Sequence, residues 1–145
     1  MTTDKDKRKH LDFIQATITR MNTNSFQIKR IVVVIITAMF AIFSATPKVI
    51  FILLSIFPLL TFWFLDAFYL QQERKFRAMY DDATGIKNKY PIKIYEMPVN
   101  KYNGKKCRYW RNYFSKTMLI FYLPLIVFIL IISLILLLLL CIPLV

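Results

Sequence analysis

Hydrophobic and polar positions fall in blocks along much of this chain. No charged residue occurs from Ile31 to Ala45, from Val49 to Leu65, or from Thr117 to Val145. A bilayer core about 30 Å thick takes roughly 20 helical residues at about 1.5 Å each, so each block is a candidate span. The last block has 29 residues, enough to cross with tilt. Its Pro124 falls in the first turns, where a missing N–H is best tolerated. Pro47-Lys48 interrupts the earlier apolar run and reads as the tight turn of a helical hairpin. Ile31 to Pro47 and Val49 to Leu65 would each cover roughly 26 Å, so their polar flanks are drawn toward the headgroups or the bilayer thins.

Upstream of the first block the pattern turns periodic. Leu11, Ile14, Ile18, Met21 and Ile28 step by three and four, with Ser25 in the missing position, which is a heptad stripe on an amphipathic helix. The stripe can lie on the inner membrane surface beside the Lys5 to Lys9 cluster, pack within the chain, or build a helix bundle between subunits. The polar run Arg20 to Ser25 would break a helix lying wholly in lipid, and its amides and hydroxyls suit contacts with other protein groups. Past Leu65 no helix breaker occurs until Gly85. A helix from about Val49 to about Asp82 would be roughly 50 Å long and carry its last third into the cytoplasm. Leu65, Tyr69, Gln72, Phe76 and Met79 or Tyr80 share one face of that extension. Glu73 and Arg77 stand at the favourable four-residue spacing, worth a few tenths of a kcal/mol. From Gly85 to Lys116 the chain becomes Tyr-rich and basic, with Ile92 to Glu96 as a short strand candidate and Asn103-Gly104 as a weak hairpin signal.

The pattern thus predicts an all-α integral membrane protein in four parts: residues 1–29, an amphipathic cytoplasmic helix; 30–83, a transmembrane hairpin whose second helix extends into the cytoplasm; 84–116, a basic loop; and 117–145, a third transmembrane helix. Composition agrees. Hydrophobic side chains make up 57% of the chain, against about 45–50% in an average soluble domain, yet 20 Lys+Arg face 8 Asp+Glu for a formal charge of +12. Such apolar content excludes disorder. Lys and Arg number seven before the first block, one in the hairpin turn and twelve from Asp66 to Lys116. Positive flanks stay cytoplasmic, so the expected setting is the inner membrane, multi-pass, with the N-terminus and long loop cytoplasmic and the C-terminus periplasmic. Trp63, Tyr109, Trp110 and Tyr113 would form the inner aromatic belt. The polar stretch before the first block predicts an uncleaved anchor rather than a cleaved signal. Cys107 and Cys141 would lie on opposite sides and stay free thiols.

Chemistry-bearing patterns are few. With only Gly85 and Gly104, no glycine-rich phosphate loop can be written. His10 is the single histidine and stands in a basic, solvated cluster, and the pair Asp81-Asp82 reads as a helix-end solvation feature. Neither an enzyme nor a metal or other cofactor is expected. Thr37, Ala38, Ala41 and Ala45 make a small-residue face suited to close helix contact. Asp66 is the most telling residue, because a carboxylate at the edge of a span needs a partner. Arg20, Asn22 and Asn24 are the candidates, whether the contact serves as a lock between helices or as a gate. Lys105, Lys106, Arg108 and Arg111 interleave with Tyr109 and Trp110, a pattern suited to anionic lipid and, less favoured, to a nucleotide or nucleic acid.

The segments His10 to Gln15, Ile18 to Phe26, and Phe62 through Asp66 to Arg77 resemble a group of small, largely uncharacterised bacterial inner-membrane proteins. The resemblance covers about Lys9 to Tyr80. Its architecture is similar to the two-transmembrane effector modules of anti-phage defence systems, from which the third span departs. The resemblance implies a homo-oligomeric effector or membrane-bound regulator that disrupts the bilayer when a cytoplasmic sensor protein or nucleotide signal acts on it. The alternative is a passive anchor holding a soluble partner at the inner leaflet.

Overall fold

Helix α1 runs unbroken from Asp4 to Ala45, 42 residues, so the amphipathic segment and the first apolar block are one helix. The computed structural model describes residues 4–104 and 107–141. The Arg20 to Ser25 run does not break α1 because its polar groups divide by face: Arg20, Asn22 and Thr23 point outward, while Ser25 is buried within the stripe. Asp4 and Asp6 in the first turn suit the positive end of the helix dipole. The helix stops before Pro47, which disfavours the helical conformation for Thr46.

After the expected turn, the second helix comes in two pieces, α2 (Ile50–Leu54) and α3 (Ile56–Ala83). The joint at Ser55 departs from the continuous helix that the sequence predicts. Pro58 is the cause, since it has no N–H for the Leu54 carbonyl and its ring crowds that group. Ser55 tightens the joint by giving both its N–H, at 3.1 Å, and its hydroxyl, at 2.6 Å, to the Ile52 carbonyl. At the far end of α3, Gly85 takes φ +81° while its N–H reaches Asp82 O and the N–H of Ile86 reaches Asp81 O. This is a Schellman cap, and it needs a residue that tolerates positive φ. A 3-10 turn at Val99–Lys101, α4 (Tyr109–Tyr113) and α5 (Lys116–Cys141) follow. Three helical stretches, Asp4–Ala45, Ile50–Ala83 and Lys116–Leu139, are long and apolar enough to cross a membrane.

No strand occurs among the described residues. The Ile92 to Glu96 segment turns instead: Glu96 N–H returns to Lys93 O at 3.0 Å, and Tyr95 sits at φ +65°. Pro91 and Pro98 bracket it and deny it ladder hydrogen bonds.

The chain forms two compact units. The first comprises Met1–Phe26 and Ala67–Asn112. Its core is Ile14, Ile18, Met79 and Tyr102, with Phe76, Tyr80, Tyr90, Ile92 and Val99 packed against them. The α1 stripe therefore packs within the chain here, with Leu11 and Met21 half-buried at its edges. The basic segment is folded in rather than left as a free loop, and Asp82 fixes it. This carboxylate is buried, accepts the Lys89 and Tyr90 N–H groups at 3.1 and 3.2 Å, and accepts the Tyr102 hydroxyl at 2.8 Å. Asp81 pairs with Lys87. The acidic pair is thus a structural staple rather than a solvated helix end. His10 likewise departs from expectation, being 4% exposed with its ring edge-on to Tyr95 at 6.2 Å.

Burial, together with the neighbouring Asp82, pushes the Tyr102 hydroxyl well above its ordinary value. A group whose pKa rises on folding contributes stability that is complete below the unfolded value, about 10, and is lost as pH rises past it. Tyr102→Phe is expected to cost about 1 kcal/mol near neutrality. The difference from the parent should shrink in unfolding curves taken at alkaline pH.

The second unit comprises Gln27–Asp66 and Tyr113–Val145. The stripe continues here as buried Ile28, Val32 and Ile36, which join Leu59, Met118 and Ile129 in the interior. Helix α2 packs on α5. Large apolar side chains cover the outside as well, with Phe57 75% and Ile120 74% exposed, the inverse of a water-facing surface. Ala38, Ala41 and Ala45 of the small-residue face are also exposed.

Candidate functional site

The interior of the second unit holds one carboxylate, Asp66, fully buried. Three helices supply the groups that meet there. Lys29 of α1 places Nζ 2.5 Å from Asp66 Oδ2, and the Tyr122 hydroxyl of α5 donates to the same oxygen at 3.1 Å. The ammonium also lies 5.9 Å from the centroid of the Phe121 ring. Beneath this clasp Trp63 stacks in parallel on Tyr122 at 5.3 Å and on Tyr113 at 4.6 Å. Its indole N–H donates to the Tyr113 carbonyl at 3.1 Å. Trp63 and Tyr113 are therefore interior supports, 5% and 7% exposed, rather than members of an outward aromatic belt.

The cation on Asp66 is Lys29 of α1 rather than Arg20. Arg20 and Asn22 are exposed in the first unit and Asn24 is half-buried there. Lys29 takes the role because it follows Ser25 by four and precedes Val32 by three, which puts it on the buried face of α1. Tyr122 went unnoticed, although it is one of very few polar groups in the charge-free run after Lys116 and so needed a partner there. Chemically, the clasp ties groups from three helices to one oxygen.

The predicted anionic-contact residues lie in the first unit. Arg108 and Arg111 are exposed, Trp110 is 56% exposed, and Tyr109 packs edge-on against Trp110 at 5.7 Å. Lys105 and Lys106 lie outside the described residues. Cys107 is a free, buried cysteine whose thiol is pushed up by burial, partly offset by Lys75, Arg74 and Lys89. Cys141 has no described side chain. Among the described residues no three His, Cys, Asp or Glu side chains gather closely enough to hold a metal ion.

No protein-family model, curated protein or solved structure matches the chain. The site must therefore be interpreted from its own chemistry.

Proposed function

We propose that this chain is a non-enzymatic, multi-pass protein of the bacterial inner membrane, acting as an oligomeric membrane-disrupting effector or its membrane-bound regulator in a defence or stress response. The Lys29–Asp66–Tyr122 clasp carries this reading. Polar groups inside an apolar helical unit are costly, and where they are kept they commonly mark a working site. In the proposed action, withdrawal of one partner frees the three helices to repack, and the repacked unit admits ions. The positive-inside count supports a cytoplasmic N-terminus and a periplasmic C-terminus. Exposed Ala38, Ala41 and Ala45 offer a surface for a second copy of the chain.

Tyr122→Phe and Lys29→Gln test the reading when each is induced in cells and membrane potential is followed, with the amount of protein in the membrane fraction as the reference. Depolarisation beyond that of the parent at equal abundance is the expected result. Loss of abundance with unchanged potential would make the clasp a structural lock only.

The alternative, a passive anchor, is favoured by a separate observation: the first unit has its own apolar core and a basic surface able to hold a soluble partner. Steady polarisation in every variant, together with recovery of one soluble protein on the full chain, would select it.

A further inference from the structure

The face of α3 in the first unit lines a cavity of about 410 Å³ with unusual charge. Arg74, Arg77 and Asp81 lie along one helix face, and Lys87 and Arg111 complete the wall. Four cations thus face one carboxylate, and that carboxylate is already paired with Lys87. Arg77 is engaged by Glu73 at 2.7 Å, whereas Arg74 gives Nη1 to a neutral acceptor, Asn112 Oδ1, at 2.6 Å. Asn112 is fully buried and held in turn by donating to Arg108 O at 2.8 Å. Among the described residues Arg74 is therefore oriented by a neutral partner and in no ion pair, which suits an anion-binding guanidinium.

A second cavity, of about 230 Å³, shares Ala78, Lys87 and Cys107 with the first. Its wall carries Tyr90 and Tyr102, packed edge to face at 5.3 Å, beside Asp82 and Lys89. Lys89 holds its ammonium 5.2 Å from the Tyr90 ring centroid. The Tyr102 hydroxyl is committed to Asp82 and its ring is 5% exposed, so half-buried Tyr90 is the ring that offers stacking surface.

We infer that the paired cavities form a binding site for a small phosphorylated ring compound of the nucleotide class. The phosphate would lie among Arg74, Arg77, Lys87 and Arg111, with the flat ring against Tyr90. An anionic lipid headgroup offers the same phosphate chemistry but no planar ring for the aromatic cavity. The site is independent of the clasp, so the failure of either proposal leaves the other standing.

Calorimetric titration of the full chain in zwitterionic nanodiscs tests the site with AMP, GMP and inorganic phosphate as probes. The expected result is saturable nucleotide binding, at least about tenfold tighter than that of inorganic phosphate. Arg74→Gln with Arg111→Gln should weaken binding by about tenfold or more, and added salt should weaken it further. Tyr90→Leu should reduce nucleotide binding selectively, with phosphate affinity unchanged. No saturable binding, or binding indifferent to the arginine pair in variants with parent-like circular dichroism, would overturn the inference. So would nucleotide binding no tighter than phosphate binding, or its abolition when phosphatidylglycerol is added to the nanodiscs, which would assign the cations to lipid.

Discussion

Asp66→Leu in the full chain should lower stability in detergent by about 3–5 kcal/mol, because it removes the buried carboxylate that pairs with the Lys29 ammonium. The Lys29 side chain is 19% exposed and Asp66 not at all, so the pair is largely withdrawn from solvent. Lys29→Met on its own should be similarly damaging, since it removes the cation paired with a fully buried carboxylate. The double variant Lys29→Met with Asp66→Leu should recover most of the loss, because apolar replacement of a whole buried pair is often close to neutral. Denaturant titration followed by Trp63 fluorescence in a Trp110→Phe background would measure all three. A double variant as unstable as the sum of the singles would show that the two residues act apart, against the clasp geometry.

Ile14→Ala should cost about 2–5 kcal/mol and should act on the first unit. Ile14 is fully buried against a core of few large side chains, and there is little other apolar material there to close the gap. Its effect should appear as faster tryptic cleavage among the lysines and arginines of the 84–116 segment, while the Trp63 signal of the second unit persists. Cleavage at the parent rate would mean that the basic segment is held by Asp82 alone, without help from the α1 stripe.

Much of this organisation was legible because apolar runs and helical periodicity are strong signals over long segments. The three charge-free blocks, the Pro47 turn and the stripe from Leu11 to Ile28 all appear as helix, turn and buried face. Less legible was anything decided by single side chains. Pro58 breaks the second helix at Ser55 through one missing hydrogen bond, which hydropathy does not register. His10 and Asp82 sit among charges in the sequence and so read as solvated, although Tyr95 and Tyr102 cover them from far along the chain. Asp66 announced itself by its cost. Its partners did not, because choosing Lys29 over Arg20 depends on helix phase, and choosing Tyr122 depends on how a third helix docks.

The three partners of the clasp emerge in a fixed order during synthesis. Lys29 is made first, Asp66 follows 37 residues later, and Tyr122 comes 56 residues after that. The ion pair can close as soon as the helical hairpin has left the ribosome, sheltering its carboxylate while the last apolar segment is still being translated. Tyr122 is then the final stitch, adding a second donor to the oxygen that Lys29 already holds.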